Sequence, residues 1–261
     1  MQLSDIQEHY RRTHTSDNLR FVIAGKMAGR KAQIKRMLES WQLPRGERFA
    51  VPHDELHSGK PTLIRRKEAS NLTFGWSMEI PRELSDKEDA ALDCLNHILT
   101  GTMHSRIFGK ARKQGMAYGM FSDGSVGKYE SSWDFGGEVE CDKAERLFGL
   151  IVSELQAVLR GEITEAELEA AKSYGLGRYQ MGAQTVAQIS GFYTSRFFWD
   201  GYVKDYAKVP QEIKGTTLEQ MNAVAREFIA ANTWALAGVS SGERSDIVRL
   251  GEQLEGLFTQ G

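Results

Sequence analysis

The chain has 261 residues, of which 41% are hydrophobic and 26% are charged, with a formal net charge of −2. This composition is typical of a globular protein long enough for one large domain, or for one domain and part of another. The near-neutral charge argues against partners such as nucleic acid or an anionic membrane surface, and no apolar stretch approaches the roughly 20 residues that cross a bilayer.

The opening segment is predicted to contain a helix, a strand, a glycine and a second helix. A capping-box pattern at Ser4–Gln7 begins the first helix, and the strand covers Leu19–Ala24, just before Gly25. The second helix, from about Gly29 to Trp41, has apolar residues at the i, i+3, i+4, i+7 spacing of one helix face. Pro44 to Pro61 holds three of the five prolines and is predicted to be a linker.

The segment after Pro61 is predicted to contain blocks of strands and blocks of helices. In one strand, Asn71–Ile80, apolar residues alternate along one face. Two capping boxes begin helices, at Ser85–Glu88 and Thr164–Glu167, and another helix is predicted to start at Thr217–Gln220. The predicted strands are 62–66, 71–80, 117–121, 129–138 and 233–237, and the predicted helices are 85–99, 105–113, 143–159, 165–184, 217 onward and 245–258, with an irregular helical region up to residue 206. Such blocks with antiparallel neighbours predict an α+β fold.

Some single residues in this segment also have an expected role. Gly115 suits the left-handed position after a helix end. The aromatic residues from Phe192 to Trp199 are predicted to be core, with a peptide groove as the alternative. Cys94 and Cys141 lie far apart without metal-site spacing, which favours a reducing compartment and a buried thiol at Cys94. The start of the chain lacks the regions of a signal peptide, so a cytoplasmic protein is expected.

The opening and closing stretches repeat one pattern. Leu3–Leu38 and Leu218–Leu254 each read as helix, strand, glycine and helix, with similar lengths. Such repetition indicates a duplicated protein, although helix–strand–helix units are common enough to match by chance. If the protein is duplicated, residues 1–43 are the end of a first domain, residues 44–60 are a linker, and residues 61–261 are a second domain.

Four stretches have motifs in an order that suggests a known family: Leu95–Tyr118, Gly161–Lys172, Ile213–Ala225 and Tyr10–Gly25. They resemble the insulinase/pitrilysin (inverted-zincin) metallopeptidases, and among them the bacterial relatives of mitochondrial processing peptidase. The most specific is Leu95–Tyr118, which resembles the family's Ile-Leu-Gly turn, its Ser-Arg-Leu-Phe run and its Arg-x-x-Gly-Leu-x-Tyr motif. Gly161–Lys172 is similar to a family helix start, Ile213–Ala225 to its threonine-led final helix, and Tyr10–Gly25 to the end of its first domain.

The resemblance implies two related α+β lobes that close around an extended peptide. In the family the first lobe carries a zinc motif, His-x-x-Glu-His, and the second lobe offers an arginine and a tyrosine to the substrate. By this match the two catalytic residues are Arg112 and Tyr118, which also bind substrate together with Gly101 and Ser105. The family's glycine-rich substrate loop is matched only at Gly101.

The positions of Arg112 and Tyr118 suit this role independently of the resemblance. A predicted helix end at Gly115 lies between them, so the chain turns and both side chains are able to reach one point. A guanidinium and a phenol suit a peptide carbonyl and the oxyanion formed when water attacks it. The alternative is a surface arginine near a helix end and a half-buried strand tyrosine.

The histidines do not form the zinc motif. His53 and His57 are four residues apart, as in helical zinc sites, but Glu55 lies midway between them rather than beside one of them. A metalloenzyme that uses this pair is retained as a third hypothesis. His97 and His104 have no third ligand at useful spacing and are predicted to lie on a helix face or in a loop. No metal ligand is therefore assigned in this chain.

The sequence predicts the zinc-free lobe of an insulinase-type metalloendopeptidase, with a mostly antiparallel sheet covered by helices. Zinc, the activated water and the glutamate base are expected from an upstream domain or from a partner chain in a homo- or heterodimer. The chain alone is expected to bind extended peptides without cleaving them. The main alternative is a non-catalytic structural or assembly subunit of the same family.

Overall fold

The structure is a computed structural model that describes residues 1–50, 53, 55–199 and 201–258. It divides into two compact units: unit 1 comprises 1–53 and 180–207, and unit 2 comprises 54–179 and 208–261. The strands are β1 (Thr62–Arg65), β2 (Asn71–Ile80), β3 (Ala117–Val126), β4 (Ser131–Glu140) and β5 (Trp234–Ser240). The helices are α1 (Leu3–Thr13), α2 (Lys31–Glu39), α3 (Asp86–Leu99), α4 (Phe108–Lys113), α5 (Ala144–Leu159), α6 (Glu165–Met181), α7 (Val186–Trp199), α8 (Val209–Gly215), α9 (Leu218–Ala231) and α10 (Arg244–Phe258).

Unit 2 is organised around one sheet with the strand order β1-β5-β2-β4-β3. β1 runs parallel to β5, and the other neighbouring strands run antiparallel. The prediction of an α+β fold with a mostly antiparallel sheet is confirmed. β5 lies between β1 and β2, so the last strand in sequence occupies the interior of the sheet.

The alternation in β2 produces one buried face and one open face. Its five apolar residues, Leu72, Phe74, Trp76, Met78 and Ile80, are all buried. In the register of β2 with β4, Trp76 lies opposite Phe135 and Met78 opposite Trp133, so large apolar side chains continue the same face across the sheet. Successive side chains of a strand point to opposite faces, so the residues between them form the open face of the sheet.

Helices cover the buried face of the sheet. α3, α5, α9 and α10 each present a line of fully buried apolar residues to the core, among them Leu95, Phe148, Phe228 and Leu254. Cys94 is also buried in this core, as expected for a free cysteine in an apolar run. The fold is therefore one sheet with helices packed on one side.

The predicted helix starts are confirmed in unit 2. In the box before α3, the Glu88 backbone N–H donates to Ser85 Oγ over 3.4 Å, and the Ser85 backbone N–H donates to the Glu88 carboxylate over 2.7 Å. The boxes before α6 and α9 have the same reciprocal pattern. Gly115 has φ of +63°, the left-handed conformation expected after the end of α4.

Two carboxylates predict how the stability of this lobe depends on pH. Hydrogen bonds from Arg82 lower the pKa of Glu88 to about 2, and hydrogen bonds from Arg106 lower the pKa of Glu167 to about 2. Both lie below the ordinary value of 4.5, so their stabilisation is present above pH 4.5 and is lost as the pH falls towards 2. Urea unfolding between pH 2 and 6 should show this decline, and Glu88→Gln with Glu167→Gln should flatten it. An unchanged slope in the double variant would contradict the assignment.

Unit 1 contains α1, α2 and α7 but has little interior. No hydrophobic side chain among its described residues is buried. The predicted aromatic core is not formed: Phe192, Tyr193 and Phe197 are half-buried and Phe198 is exposed, while the side chain of Trp199 lies outside the described residues. The predicted core at this position is therefore wrong for the four described side chains.

Two further predictions for unit 1 are wrong. Residues 19–24 are extended but form no strand, because a strand needs a neighbouring strand for its backbone hydrogen bonds and none lies beside them among the described residues. Phe21 and Ile23 are accordingly 45% and 46% exposed. The capping box of α1 is formed by Gln2 and Asp5 rather than by Ser4 and Gln7, so the helix begins two residues earlier than the pattern indicated.

No helix in the described part of the chain is long and apolar enough to cross a membrane.

Candidate functional site

Arg112 and Tyr118 lie together in the structure. Arg112 is in the last turn of α4, the chain reverses at Gly115, and Tyr118 is the second residue of β3. The guanidinium carbon of Arg112 lies 4.0 Å from the centroid of the Tyr118 ring, and Nη1 donates to the Tyr118 carbonyl oxygen over 3.3 Å. This cation–π contact holds a positive group and a phenol at one point.

A β-bulge turns Tyr118 away from the sheet. Ala117 pairs with Val139 and Gly119 pairs with Glu138, so Tyr118 is an extra residue with no partner on β4. A bulge changes the direction of a side chain and bends the strand locally. The Tyr118 side chain is 84% exposed as a result, and its hydroxyl makes no hydrogen bond within the described ranges. It is therefore available to a ligand.

The pair borders a cavity of about 640 Å³. Its polar lining comes from α4, from the start of β3 and from the ends of β2 and β4: Asn71, Arg112, Tyr118, Glu138, Glu140 and Lys143. Asn71 donates to Glu138 over 2.7 Å, and Lys143 pairs with Glu140 over 2.7 Å.

Those pairs leave Arg112 without a carboxylate. No salt bridge to Arg112 occurs among residues 1–50, 53, 55–199 and 201–258. A guanidinium has five N–H donors, and Arg112 directs one of them to Tyr118. The remaining donors suit an oxygen acceptor such as a peptide carbonyl or a carboxylate.

The site lies at an edge of the sheet. β3 is the last strand in the order β1-β5-β2-β4-β3, so one side of its backbone has no strand neighbour in the described structure. An edge strand of this kind can bind an extended peptide by adding it as another strand. The cavity, the arginine and the free edge are therefore contiguous.

Gly101 and Ser105 are not brought to this cavity. Ser105 is buried, and its Oγ donates to the Thr102 carbonyl oxygen and accepts from the Gly109 backbone N–H. A side chain at Gly101 would place its Cβ 2.8 Å from the Cα of His97, so the turn between α3 and α4 requires a glycine there. Both residues shape this turn, and the structure gives them no direct contact with Arg112.

A buried charge cluster fixes the start of α4. Arg106 forms two hydrogen bonds of 2.6 Å to the Glu167 carboxylate and donates to the Glu162 carbonyl oxygen over 2.7 Å. Glu154, which is 7% exposed, pairs with Arg106 and with Lys110. The cluster joins the chain before α4 to α5 and α6, and it thereby holds the helix that carries Arg112.

The histidine hypotheses have different outcomes. No group of three or more His, Cys, Asp or Glu side chains able to hold a metal occurs among the described residues, and Asp54, between His53 and His57, lies outside them. His97 is on α3, where burial lowers its pKa to about 4, and its ring lies edge-on to Tyr174. It is therefore neutral at pH 7, as suits a packed helix residue.

Several lining residues were not predicted from sequence. Asn71, Glu138, Glu140 and Lys143 lie far from Arg112 in sequence and reach the cavity only through the register of β2 with β4. The alternation of β2 does place Asn71 on the open face, but it gives no information about which residues of β4 lie beside it. The missing signal is strand pairing.

The fold defines an α+β lobe of the kind found in metallopeptidases, and comparison with known proteins identifies the family. The family model of the peptidase M16 inactive domain matches residues 1–174. The chain belongs to this family, the insulinase/pitrilysin peptidases, and to its inactive C-terminal domain, as predicted from the sequence. A search of curated protein sequences found no match.

Solved structures share the fold at low sequence identity. A protease from Helicobacter pylori has a TM-score of 0.76 at 17% identity, covering 92% of this chain and 59% of its own. The peptidase M16 inactive domain from Pseudomonas fluorescens has a TM-score of 0.75 at 16% identity, covering 93% of this chain and 58% of its own. A chain of complex III2 from Candida albicans has a TM-score of 0.79 at 10% identity, covering 97% and 63%. This chain thus spans about three fifths of these structures.

Proposed function

We propose that this chain is the substrate-binding, zinc-free lobe of an insulinase-type metalloendopeptidase. It binds an extended peptide at the β3 edge and presents Arg112 and Tyr118 to the scissile bond. The observation that supports this most is the stacked Arg112–Tyr118 pair, which borders an open cavity at a free sheet edge and has no carboxylate partner in the described structure.

The chemistry of the pair suits peptide hydrolysis. When water attacks a peptide carbonyl, negative charge develops on its oxygen, and fixed donors stabilise that charge more than they stabilise the neutral substrate. The Arg112 guanidinium and the exposed Tyr118 hydroxyl are such donors. The residues described here do not provide a zinc site, so the proposal assigns the metal, which activates water, and the glutamate base to an upstream domain or a partner chain.

We also propose that residues 1–43 are the end of a first lobe, that residues 44–60 are a linker, and that residues 61–261 are a second lobe. Two observations support it. The order α1, extended segment, α2 resembles α9, β5, α10. In addition, the exposed Phe21 and Ile23 lie where the second copy has strand β5, which is paired on both sides. The extended segment therefore suits the sheet of a first lobe.

A cleavage assay tests the function. A quenched extended peptide is incubated with the purified chain, with the zinc-bearing lobe, and with both together. Cleavage is expected only with both. In the combined assay, Arg112→Ala is expected to lose most of the cleavage rate. Lys113→Ala is its matched control, since Lys113 is the next residue of α4 and is exposed. Peptide cleavage by this chain alone, with the rate unchanged by chelation, would contradict the proposal.

The second candidate is a structural or assembly subunit without a role in hydrolysis. The similarity of fold to a chain of complex III2 favours it. In that case the chain would form a stable complex with its partner, and Arg112→Ala would leave both the complex and any peptidase activity unchanged. Size-exclusion chromatography together with the cleavage assay distinguishes the two candidates.

A further inference from the structure

Lys143 contacts the turn between Arg112 and Tyr118, which is called the α4–β3 turn. Lys143 directly precedes α5, and its side chain is 28% exposed and borders the same cavity as the pair. Its ammonium group donates to the Gly115 carbonyl oxygen over 3.0 Å and pairs with the Glu140 carboxylate over 2.7 Å. One side chain therefore connects the tip of this turn to the end of β4 and the start of α5.

The position of the Arg112–Tyr118 pair depends on the α4–β3 turn. In the described ranges Arg112 makes its polar contacts with Tyr118 alone, and Tyr118 lies in a bulge without a partner on β4. Ala111 and Met116, at the two ends of the turn, are buried, and the Met116 N–H donates to the Ala111 carbonyl oxygen over 2.9 Å. Gly115, at the tip, is exposed. The core therefore holds the base of the turn, whereas the tip needs a contact at the surface.

The contact from Lys143 comes from a rigid part of the lobe. The next residue, Ala144, is buried, and Leu147 and Phe148 in the following turn of α5 are completely buried. The Phe148 ring packs against the Phe74 ring of β2, with the two centroids 4.9 Å apart. Side chains held in a packed core move little, so the backbone at Lys143 is a fixed point from which to hold the turn.

Arg146, near the start of α5, contacts the same turn in a different way. Its guanidinium donates to the side-chain oxygen of Gln114 over 3.4 Å. That acceptor belongs to a side chain that can rotate away, whereas the Gly115 carbonyl belongs to the backbone of the turn. Of these two contacts, only the one made by Lys143 holds the backbone.

Glu140 suggests a different role for Lys143, that of neutralising a carboxylate beside Arg112. Glu140 borders the same cavity, and without Lys143 it could accept a hydrogen bond from the guanidinium. Its side chain is 56% exposed, however, and pairs as exposed as this contribute little because water screens them. A hydrogen bond from a charged donor to a backbone carbonyl contributes more, so the contacts favour anchoring of the turn.

We propose that Lys143 is a positioning residue, which places Arg112 and Tyr118 by fixing the Gly115 carbonyl oxygen to the start of α5. The effect on catalysis rests on the proposed function, whereas the anchoring of the turn is a property of the chain alone. A displacement of about 1 Å is enough to lower a rate by about 10²-fold. A contact at the tip of the turn is therefore able to affect the reaction at the pair.

Hydrogen exchange on the full chain, followed by NMR, tests the anchoring directly. Lys143→Met keeps the aliphatic stem and removes the ammonium group. The Gly115 and Met116 amides, which donate the hydrogen bonds that close the turn, are expected to exchange about tenfold faster in this variant. The amides of α3 are the internal reference and should not change. Lys143→Arg keeps a charged donor and should restore slow exchange, and Arg146→Met is the matched control that leaves it unchanged.

Steady-state kinetics of the assembled peptidase tests the effect on the reaction. Lys143→Met is expected to lower kcat about tenfold and to change KM by less than about twofold, because the charge that develops during the reaction depends most on the position of the donors. Lys143→Arg should recover most of kcat, and Arg146→Met should remain within about twofold of the wild-type value. Lys143→Gln, which also lacks the charge, is the second variant and should reproduce both losses.

A double variant separates anchoring from neutralisation. Lys143→Met combined with Glu140→Gln removes the carboxylate that the first substitution leaves without its cation. The double variant should stay as slow as Lys143→Met. Recovery of the wild-type kcat would show that Lys143 acts by neutralising Glu140, and it would overturn the positioning role.

The outcomes keep the two proposals apart. Unchanged exchange at Gly115 and Met116 in the Lys143 variants overturns this inference and leaves the proposed function intact. The same holds if the Lys143 variants keep the wild-type kcat while Arg112→Ala loses its rate. If Arg112→Ala also keeps its rate, the proposed function is contradicted instead, and the exchange measurement still decides whether Lys143 anchors the turn.

Discussion

Replacing Arg112 with alanine is expected to lower kcat/KM of the assembled peptidase by about 10²- to 10³-fold, the usual effect of removing one donor to a developing oxyanion. The variant should remain folded, because within the described part of the chain Arg112 makes only a cation–π contact and one long hydrogen bond, both to Tyr118. Steady-state kinetics with a quenched peptide, alongside urea unfolding, measures both quantities.

Two further variants separate the parts of the pair. Arg112→Lys keeps the charge but loses the planar fork of donors, so most of the rate should still be lost. Tyr118→Phe keeps the ring under the guanidinium and removes only the hydroxyl, so it reports the phenol alone. If Arg112→Ala keeps a rate within twofold of the wild-type value, as the control Lys113→Ala should, the Arg112–Tyr118 pair does not act on the substrate.

Replacing Arg106 with alanine is expected to destabilise the lobe by about 1–3 kcal/mol, the cost of leaving the partly buried Glu167 carboxylate without its hydrogen-bond donor. Glu167 loses the two hydrogen bonds that it receives from Arg106, whereas Glu154, which is 7% exposed, loses a more distant contact of 3.8 Å and keeps Lys110. Urea unfolding at pH 7 measures the change.

The matched control is Arg160→Ala. Arg160 forms an ion pair with Glu162 in which both side chains are more than half exposed, and such a pair contributes about 0–1 kcal/mol. The cluster around Arg106 also holds the chain before α4, so Arg106→Ala should lower the cleavage rate even where the protein remains folded. Equal destabilisation by the two alanine variants would show that the cluster is not a buried network.

Local patterns in the sequence predicted much of unit 2. The alternation in Asn71–Ile80 predicted a half-buried strand, and the box at Ser85–Glu88 and the stretch Thr217–Gln220 predicted helix starts, because these signals involve neighbouring residues only. The strand predicted at Leu19–Ala24 is not formed, although its composition is equally typical of a strand. A strand also needs a neighbouring strand for its backbone hydrogen bonds, and the residues of the stretch itself do not show whether one is present.

The candidate site shows the same limit. Arg112 and Tyr118 were predicted from the resemblance to the family's Arg-x-x-Gly-Leu-x-Tyr motif, and a predicted helix end at Gly115 supported their placement on either side of one turn. The bulge that exposes Tyr118 depends on a register shift between β3 and β4, which no motif marks. The position of Lys143 also needs the register, since the pairing of Ala117 with Val139 places the end of β4 beside the α4–β3 turn.

The position of β5 has a consequence for synthesis of the protein. β2 ends at Ile80, but the strand that lies between β1 and β2 begins only at Trp234. At about 5–20 residues per second, translation from β2 to β5 takes roughly 10–30 s. During this interval the facing edges of β1 and β2 lack their partner, and non-local pairing of this kind is slow to form. A nascent chain that stops before Trp234 therefore exposes the unpaired edges of β1 and β2, which favours aggregation.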